Sequence, residues 1–294
     1  MRPFTPSYEI KERDRVDTEF TEEHVPGAAI RVLLYREIVP PVSGSEGAIK
    51  ERKINTVIII GKGEVGAKVE ELFANAGLKV NTLEEESDFE QRLADADLIL
   101  ENVPQNIEGK KAVFKKCKGA SKEAIFATTA TCGITELAAD SERSPKFIGM
   151  HFTLSHTGNW LVQIAKGLET SKETIAACRQ LVERVGATAV ELEDSPGLIL
   201  DRVMACLINE AALMYMTGIV ASVEEIDEIV RVRRRWPMGP FQIADEMGID
   251  RVVETLGILA EEMGSQYLPC RLLKRMVQAG WLGKKTAKGF YTYT

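Results

Sequence analysis

Hydrophobic and polar positions follow two regimes along this chain, with a change near Pro196. Up to that point short apolar runs alternate with segments of helical period. Val57–Ile60 is a β-branched run that predicts a strand buried on both faces, and Glu64–Ala76 predicts a helix with Val65, Val69, Leu72 and Phe73 on one face. Further strands are predicted at 78–83, 98–101, 124–127, 147–150, 161–164 and 188–192, with a short helix between Glu84 and Asp97 and another over 106–116. Thr170-x-x-Glu173 reads as a capping box opening a helix whose inward positions are Ile175, Cys178, Leu181, Val182 and Val185. Strands alternating with helices point to an α/β fold: a Rossmann-type, doubly wound, mostly parallel sheet. Beyond Ser195-Pro196-Gly197 the period is helical throughout: Leu198–Met216, a helix capped by Ser222-x-x-Glu225, then segments around 250–263 and 269–279. The expected organisation is an N-terminal extension (1–53), a Rossmann domain (54–195) and an all-α C-terminal domain (196–294). Within the extension Ala29–Val39 reads as a strand and Pro40–Ser45 as a linker. So many apolar helices in the last domain predict a homodimer.

Composition narrows the class. The 294 residues are 45% hydrophobic and 28% charged, which is the balance of a globular protein with an ample core. A net charge of −7 offers no nucleic-acid surface, and no run of the sequence has membrane-spanning length. Five scattered cysteines without a CxxC pair read as reduced thiols in a cytoplasm, and three histidines provide no metal-ligand cluster.

The chemistry starts where the first strand runs into Gly61-x-Gly63-x-x-Gly66. The first glycine serves the tight turn, the second a close approach to a pyrophosphate, the third helix-on-sheet packing; the helix N-terminus then faces the phosphates. Glu84 ends the second strand about 20 residues further on, where a carboxylate binds a ribose 2′-OH. Glu84, Glu85 and Glu86 would repel a 2′-phosphate, so the expected cofactor is NAD rather than NADP.

The sequence resembles the L-3-hydroxyacyl-CoA dehydrogenase family, which includes 3-hydroxybutyryl-CoA dehydrogenases. The resemblance rests on the glycine motif, on Asp97–Pro104, Phe147–Phe152 and Asp194–Gly197, and on Pro237–Phe241 and Gly283–Tyr291. It implies a helical domain that dimerises, a role in fatty acid metabolism, and reversible hydride transfer between NAD and carbon 3 of an acyl thioester, with CoA as the expected carrier. It also implies a catalytic set of serine, histidine, glutamate and asparagine. The histidine, the general base, is His151. The serine position falls at Ala130, with Thr129 and Thr131 as neighbouring hydroxyls; the glutamate position falls at Gln163, and the asparagine position at Asp201. On the cofactor side Lys110 and Lys285 match, while a glutamate is replaced by Gln105. Another polar contact is lost at Leu154, and the family's helical insert after the second strand, which helps to hold CoA, is largely missing.

His151 suits the base role because imidazole titrates near neutral pH. Gln163 accepts a hydrogen bond but carries no charge. Carboxylate and amide have exchanged places, so Asp201 either supplies the charge that His151 needs or is a helix-terminal carboxylate favoured by the dipole. Two other readings stand beside the dehydrogenase: an NAD-binding paralogue acting as a sensor or assembly subunit, and an oxidoreductase on a different 3-hydroxy substrate. Arg231 and Arg233–Arg235 read as a solvated face in preference to a contact for CoA phosphates, and Cys132 as a thiol without a base.

Overall fold

The computed structural model describes residues 52–84, 92–103, 107–155 and 157–293. The readings placed on the N-terminal extension, on Glu85, Glu86 and Gln105, and on most of the short helix before Asp97 lie outside these residues.

Seven strands form one sheet: β1 (Thr56–Ile60), β2 (Lys79–Leu83), β3 (Leu98–Glu101), β4 (Ile125–Thr128), β5 (Phe147–Leu154), β6 (Trp160–Lys166) and β7 (Thr188–Glu193), in the order β2-β1-β3-β4-β5-β6-β7. All neighbours are parallel except β5 and β6, which are antiparallel. Nine α-helices occur among the described residues. Four belong to the sheet region: α1 (Glu64–Asn75), α2 (Ile107–Lys116), α3 (Ile134–Asp140) and α4 (Lys172–Arg184). Five follow it: α5 (Leu200–Met216), α6 (Val223–Arg234), α7 (Pro240–Met247), α8 (Ile249–Met263) and α9 (Arg271–Gln278). This is the mostly parallel Rossmann-type sheet with a helical C-terminal region that the sequence predicts.

The pleat explains the β-branched runs. Ile58, Ile60, Ile99 and Phe126 enter the core on one face of the sheet; Val57, Ile59, Leu98 and Leu100 enter the core on the other. Strands buried on both faces have no polar side, which is why they read as continuous apolar runs. Asp97 pins the start of β1 to β3, its Oδ2 accepting from the N–H groups of Asn55 (2.8 Å) and Thr56 (2.9 Å).

Three local readings change. The cap of α4 is Ser171, not Thr170: the Ser171 hydroxyl accepts from Thr174 N, while the Thr170 hydroxyl donates to Phe147 O at 2.8 Å and ties the helix entry to β5. Val65 is exposed beside the glycine loop, whereas Val69 and Phe73 are fully buried. β5 runs to Leu154, so His151 lies within the strand rather than at its end. Helices α3 and α7 are not among the predicted segments; α3, at seven residues, is too short to complete a periodic pattern.

In the helical region the Ser222–Glu225 capping box forms as predicted. Two buried carboxylates then organise the packing. Asp227 on α6 accepts from Phe241 N (2.7 Å), Gln242 N (3.0 Å) and the Tyr291 hydroxyl (2.8 Å), joining α6, the first turn of α7 and the C-terminal strap. Asp245 on α7 accepts from Phe290 N and Tyr291 N, both at 2.9 Å, and from the Tyr293 hydroxyl at 3.0 Å. These contacts account for Pro237–Phe241 and Gly283–Tyr291 as structural motifs. Asp227→Ala is expected to lower folding stability by about 3 kcal/mol, because it strands a buried N–H group, a half-buried one and a phenol. Denaturant unfolding checks this, and a loss below about 1 kcal/mol would show that the three bonds are not what joins these segments.

Candidate active site at the carboxyl edge of the sheet

The order β2-β1-β3 reverses direction at β1, and the carboxyl edge of the sheet there is where this class of fold binds ligands. The glycine loop leaves β1 at that point. Gly61 has φ +110°, and a Cβ on it would lie 2.4 Å from Asn102 O. A Cβ on Gly66 would lie 2.5 Å from Gly61 O and 2.7 Å from Asn102 Nδ2. Both glycines are therefore demanded by the protein's own packing. Gly63 differs: a Cβ there would meet nothing closer than Asn102 Nδ2 at 3.8 Å. Among the described residues, packing leaves that side of Gly63 open and no side chain caps the α1 N-terminus. Open backbone, a free helix N-terminus and Glu84 at the end of β2 fit a dinucleotide: the loop would take the pyrophosphate and Glu84 the ribose. Lys62 Nζ lies 3.0 Å from Glu84 Oε1, which holds the carboxylate across the mouth of the loop.

Beside this loop lies a buried charge network. Glu101, the last residue of β3, is 0% exposed, and Lys110 of α2 is 1% exposed. Lys110 Nζ donates to Glu101 Oε1 (2.8 Å), to Oε2 (3.0 Å) and to Val103 O (3.0 Å). Glu101 also accepts from Thr128 Oγ1 (2.6 Å) and Val103 N (2.5 Å). Lys110 is expected on the cofactor side; with these three contacts its ammonium joins the end of β3 to the residues that follow it. Thr128 Oγ1 in turn accepts from Ala130 N at 3.1 Å, shaping the turn that carries Thr129.

His151 faces that turn. β5 pairs with β4 only as far as Thr128↔Gly149, while its antiparallel pairing with β6 carries it two residues further to His151↔Gln163. The imidazole Nδ1 lies 3.2 Å from Thr129 O. A carbonyl can only accept, so Nδ1 carries the proton and Nε2 is left with its lone pair. Burial lowers the His151 pKa from its ordinary value; Asp201 pulls it up, Arg251 pushes it down, the Thr129 hydrogen bond raises it and Lys110 lowers it. The net direction is down, and the ring is neutral at neutral pH.

Gln163 is buried and its Oε1 accepts from Ile199 N at 2.9 Å, joining β6 to the residue before α5. Asp201 is also buried, but its carboxylate is bound to Arg251 Nη2 at 2.5 Å. Its charge reaches His151 through space, opposed by its own partner. Ala130, at the serine position, is buried and offers no hydroxyl; Thr129 and Thr131 are both buried beside it. Asp194 Oδ2 accepts from Thr135 N (2.8 Å) and Gly197 N donates to Thr131 O (2.7 Å), so Asp194–Gly197 clasps this loop. Lys285 lies 2.6 Å from Asp250, next to Arg251 at the start of α8. Cys132 is pushed up to about 11 by burial and is a thiol, not a nucleophile. Arg231 and Arg233–Arg235 are exposed, as expected of a solvated face. No group of three His, Cys, Asp or Glu side chains suited to a metal occurs among the described residues. Sequence reasoning missed Glu101, Thr128 and Arg251 as site residues. Glu101 carried a signal, a lone carboxylate closing a fully apolar strand; Arg251 carried none.

A side chain at Gly63 is expected to leave the fold intact and block the cofactor, because among the described residues no atom lies closer than 3.8 Å to a Cβ placed there. Gly63→Val should keep the thermal midpoint within a few degrees while weakening NADH binding at least tenfold by fluorescence titration. Gly66→Val should lose stability instead. Equal NADH affinity in Gly63→Val and wild type would place the dinucleotide elsewhere.

Comparison with known proteins agrees with this geometry. The family model described as "3-hydroxyacyl-CoA dehydrogenase, NAD binding domain" matches residues 84–195, and that described as "3-hydroxyacyl-CoA dehydrogenase, C-terminal domain" matches residues 197–293. A probable 3-hydroxybutyryl-CoA dehydrogenase of Bacillus subtilis is 40% identical over 201 residues, covering 67% of this chain and 70% of that protein. A 3-hydroxybutyryl-CoA dehydrogenase of Bradyrhizobium diazoefficiens is 38% identical over 204 residues, covering 68% and 69%. The crystal structure of (S)-3-hydroxybutyryl-CoA dehydrogenase PaaH1 from Ralstonia eutropha superposes with a TM-score of 0.75 at 29% identity, covering 82% of this chain and 100% of that one. With both domains matched in order, and a glycine loop that fits NAD at the expected edge, this chain belongs to the 3-hydroxyacyl-CoA dehydrogenase family of NAD-dependent oxidoreductases.

Proposed function

We propose that this protein catalyses the reversible oxidation of a 3-hydroxyacyl thioester to its 3-oxo form, with His151 as general base. The observation that carries the reading is the hydrogen bond from His151 Nδ1 to Thr129 O, which leaves Nε2 unprotonated at the carboxyl edge of the sheet. Bound NAD would supply the hydride acceptor. His151 Nε2 takes the hydroxyl proton in the oxidation direction and returns it in the reduction. The lowered pKa favours the neutral, proton-accepting form of the base. Gln163 holds the entry to α5 against β6, and the buried pair of Glu101 and Lys110 keeps the Thr129 carbonyl in place. A second reading keeps this chemistry and changes the carrier: only residues 84–97 separate β2 from β3, which leaves little chain to hold CoA.

Two further proposals concern setting. The five free cysteines support a reducing, cytoplasmic location, and no helix among the described residues is long and apolar enough to cross a membrane. Leu200, Val203, Leu213 and Met216 are exposed along α5 and Ile199 just before it, apolar surface of the kind a second copy of the chain covers.

Wild type is expected to oxidise NADH with acetoacetyl-CoA, and His151→Ala to lose roughly 10²–10⁴ in rate with NADH binding kept. The acid limb of kcat/KM for oxidation is expected below about pH 6.5, and Asp201→Asn should move it lower still, since Asp201 raises the His151 pKa. Undiminished turnover in His151→Ala would remove the base assignment. Light scattering is expected to give twice the 32.5 kDa chain mass, and Val203→Glu to halve that value; a monomeric wild type would contradict the dimer.

A further inference from the structure

Buried polar atoms nearly always have partners, so those without one indicate what is missing. Among the described residues four buried side-chain atoms lack a partner: Asp140 Oδ2, Asp250 Oδ1, Gln163 Nε2 and Arg251 Nε. Two of these are N–H donors, and both surround His151. Gln163 pairs with it across β5 and β6, and Arg251 acts on its imidazole by charge. Arg251 also lines a cleft of about 60 Å³, with Ile107, Thr131, Cys132, Gly197 and Ile258 among the other walls. The cleft therefore joins the loop after β4, the start of the helical region and α8.

We propose that Arg251 is the donor that binds the substrate's C1 oxygen, whether that oxygen belongs to a thioester carbonyl or to a free carboxylate. Asp201 holds the guanidinium by Nη2 at 2.5 Å, so the side chain is fixed before anything binds. Guanidinium offers five donors in a rigid plane. One corner is taken by Asp201, and Nε still needs an acceptor. Of the other walls, Ile107 and Ile258 are apolar, the Cys132 thiol is a weak donor, Thr131 and Thr255 carry hydroxyls, and Glu254 is a carboxylate that only accepts, so among the described residues Arg251 is the one cationic donor lining the cleft. An oxygen bearing partial or full negative charge gives Nε the acceptor it lacks. The small volume suits a short acyl chain against the two isoleucines. That the oxygen sits at C1 of a 3-hydroxy or 3-oxo compound rests on the dehydrogenase reading above; that Arg251 binds an oxygen rests on its own geometry.

The test is calorimetric binding of acetoacetyl-CoA, and separately of acetoacetate, to the full chain saturated with oxidised NAD, which has no hydride to give these 3-oxo compounds and so keeps the measurement one of binding. Wild type, Arg251→Met and the Asp201→Asn/Arg251→Met double variant are compared. Wild type is expected to bind one of the two probes, and the one it binds identifies the carrier. Arg251→Met is expected to bind that probe at least tenfold more weakly, with NAD affinity unchanged. The double variant, in which no carboxylate is left unpaired, is expected to remain weak. Recovery of binding in the double variant would show that Arg251 only neutralises Asp201 and would overturn the proposal. So would equal binding by wild type and Arg251→Met, or binding of neither probe by wild type. Binding that depends on Arg251 without turnover in wild type would count against the dehydrogenase reading and leave Arg251 as an oxygen donor.

Discussion

Everything at the carboxyl edge of the sheet depends on one buried ion pair. Glu101 and Lys110 are sealed from water, and such a pair is tolerated only when every remaining polar atom is matched. Here the matching is structural: Thr128 and both backbone groups of Val103 complete the network. The carboxylate thereby links the ends of β3 and β4 to α2. Thr128 passes the constraint to Ala130 N, and Thr129, between them, presents its carbonyl to His151. Removing one ion would leave the other uncompensated, at a cost of roughly 3–5 kcal/mol, and would release the turn that fixes the imidazole tautomer.

The site pairs its charges one by one and leaves its donors open. Glu101 is matched by Lys110 and Asp201 by Arg251, so neither carboxylate touches His151. Burial then dominates the imidazole, and its pKa falls. A carboxylate in place of Gln163 would have raised it. This arrangement favours a base that is neutral before the reaction over one stabilised after it has taken the proton. The two orphan N–H groups, of Gln163 and Arg251, are the counterpart: the protein supplies donors and expects the ligand to bring acceptors.

The helical region serves that edge as well as its own core. Asp227 and Asp245 knit α6, α7 and the C-terminal strap together, and Lys285 on the strap reaches Asp250 at the start of α8. Arg251 follows immediately, so a carboxylate-ordered strap braces the helix end that carries the guanidinium into the site. Gln163 does the same for α5, accepting from Ile199 N where the chain enters the helical region.

Sequence alone determined the elements whose signal is local. A doubly buried strand reads as an apolar run, a capping box as Ser222 and Glu225, and a dinucleotide loop as three glycines between a strand and a helix. The sheet class, the helical C-terminal region and the cofactor followed from such signals, and the resemblance located His151, Gln163 and Asp201. Tertiary structure decided the rest, because the remaining information lies in which distant residues meet. Thr170 and Ser171 both look like caps, and the Phe147 carbonyl takes one of them away. Lys110 reads from the resemblance as a cofactor-side lysine, and only the fold shows Glu101 against it. Asp201 and Arg251 are separated along the chain by two helices and part of a third, and no periodicity relates them; only the packing of α5 on α8 makes them a pair. Charges are set by neighbours in space, and neighbours in space are what a linear pattern does not contain.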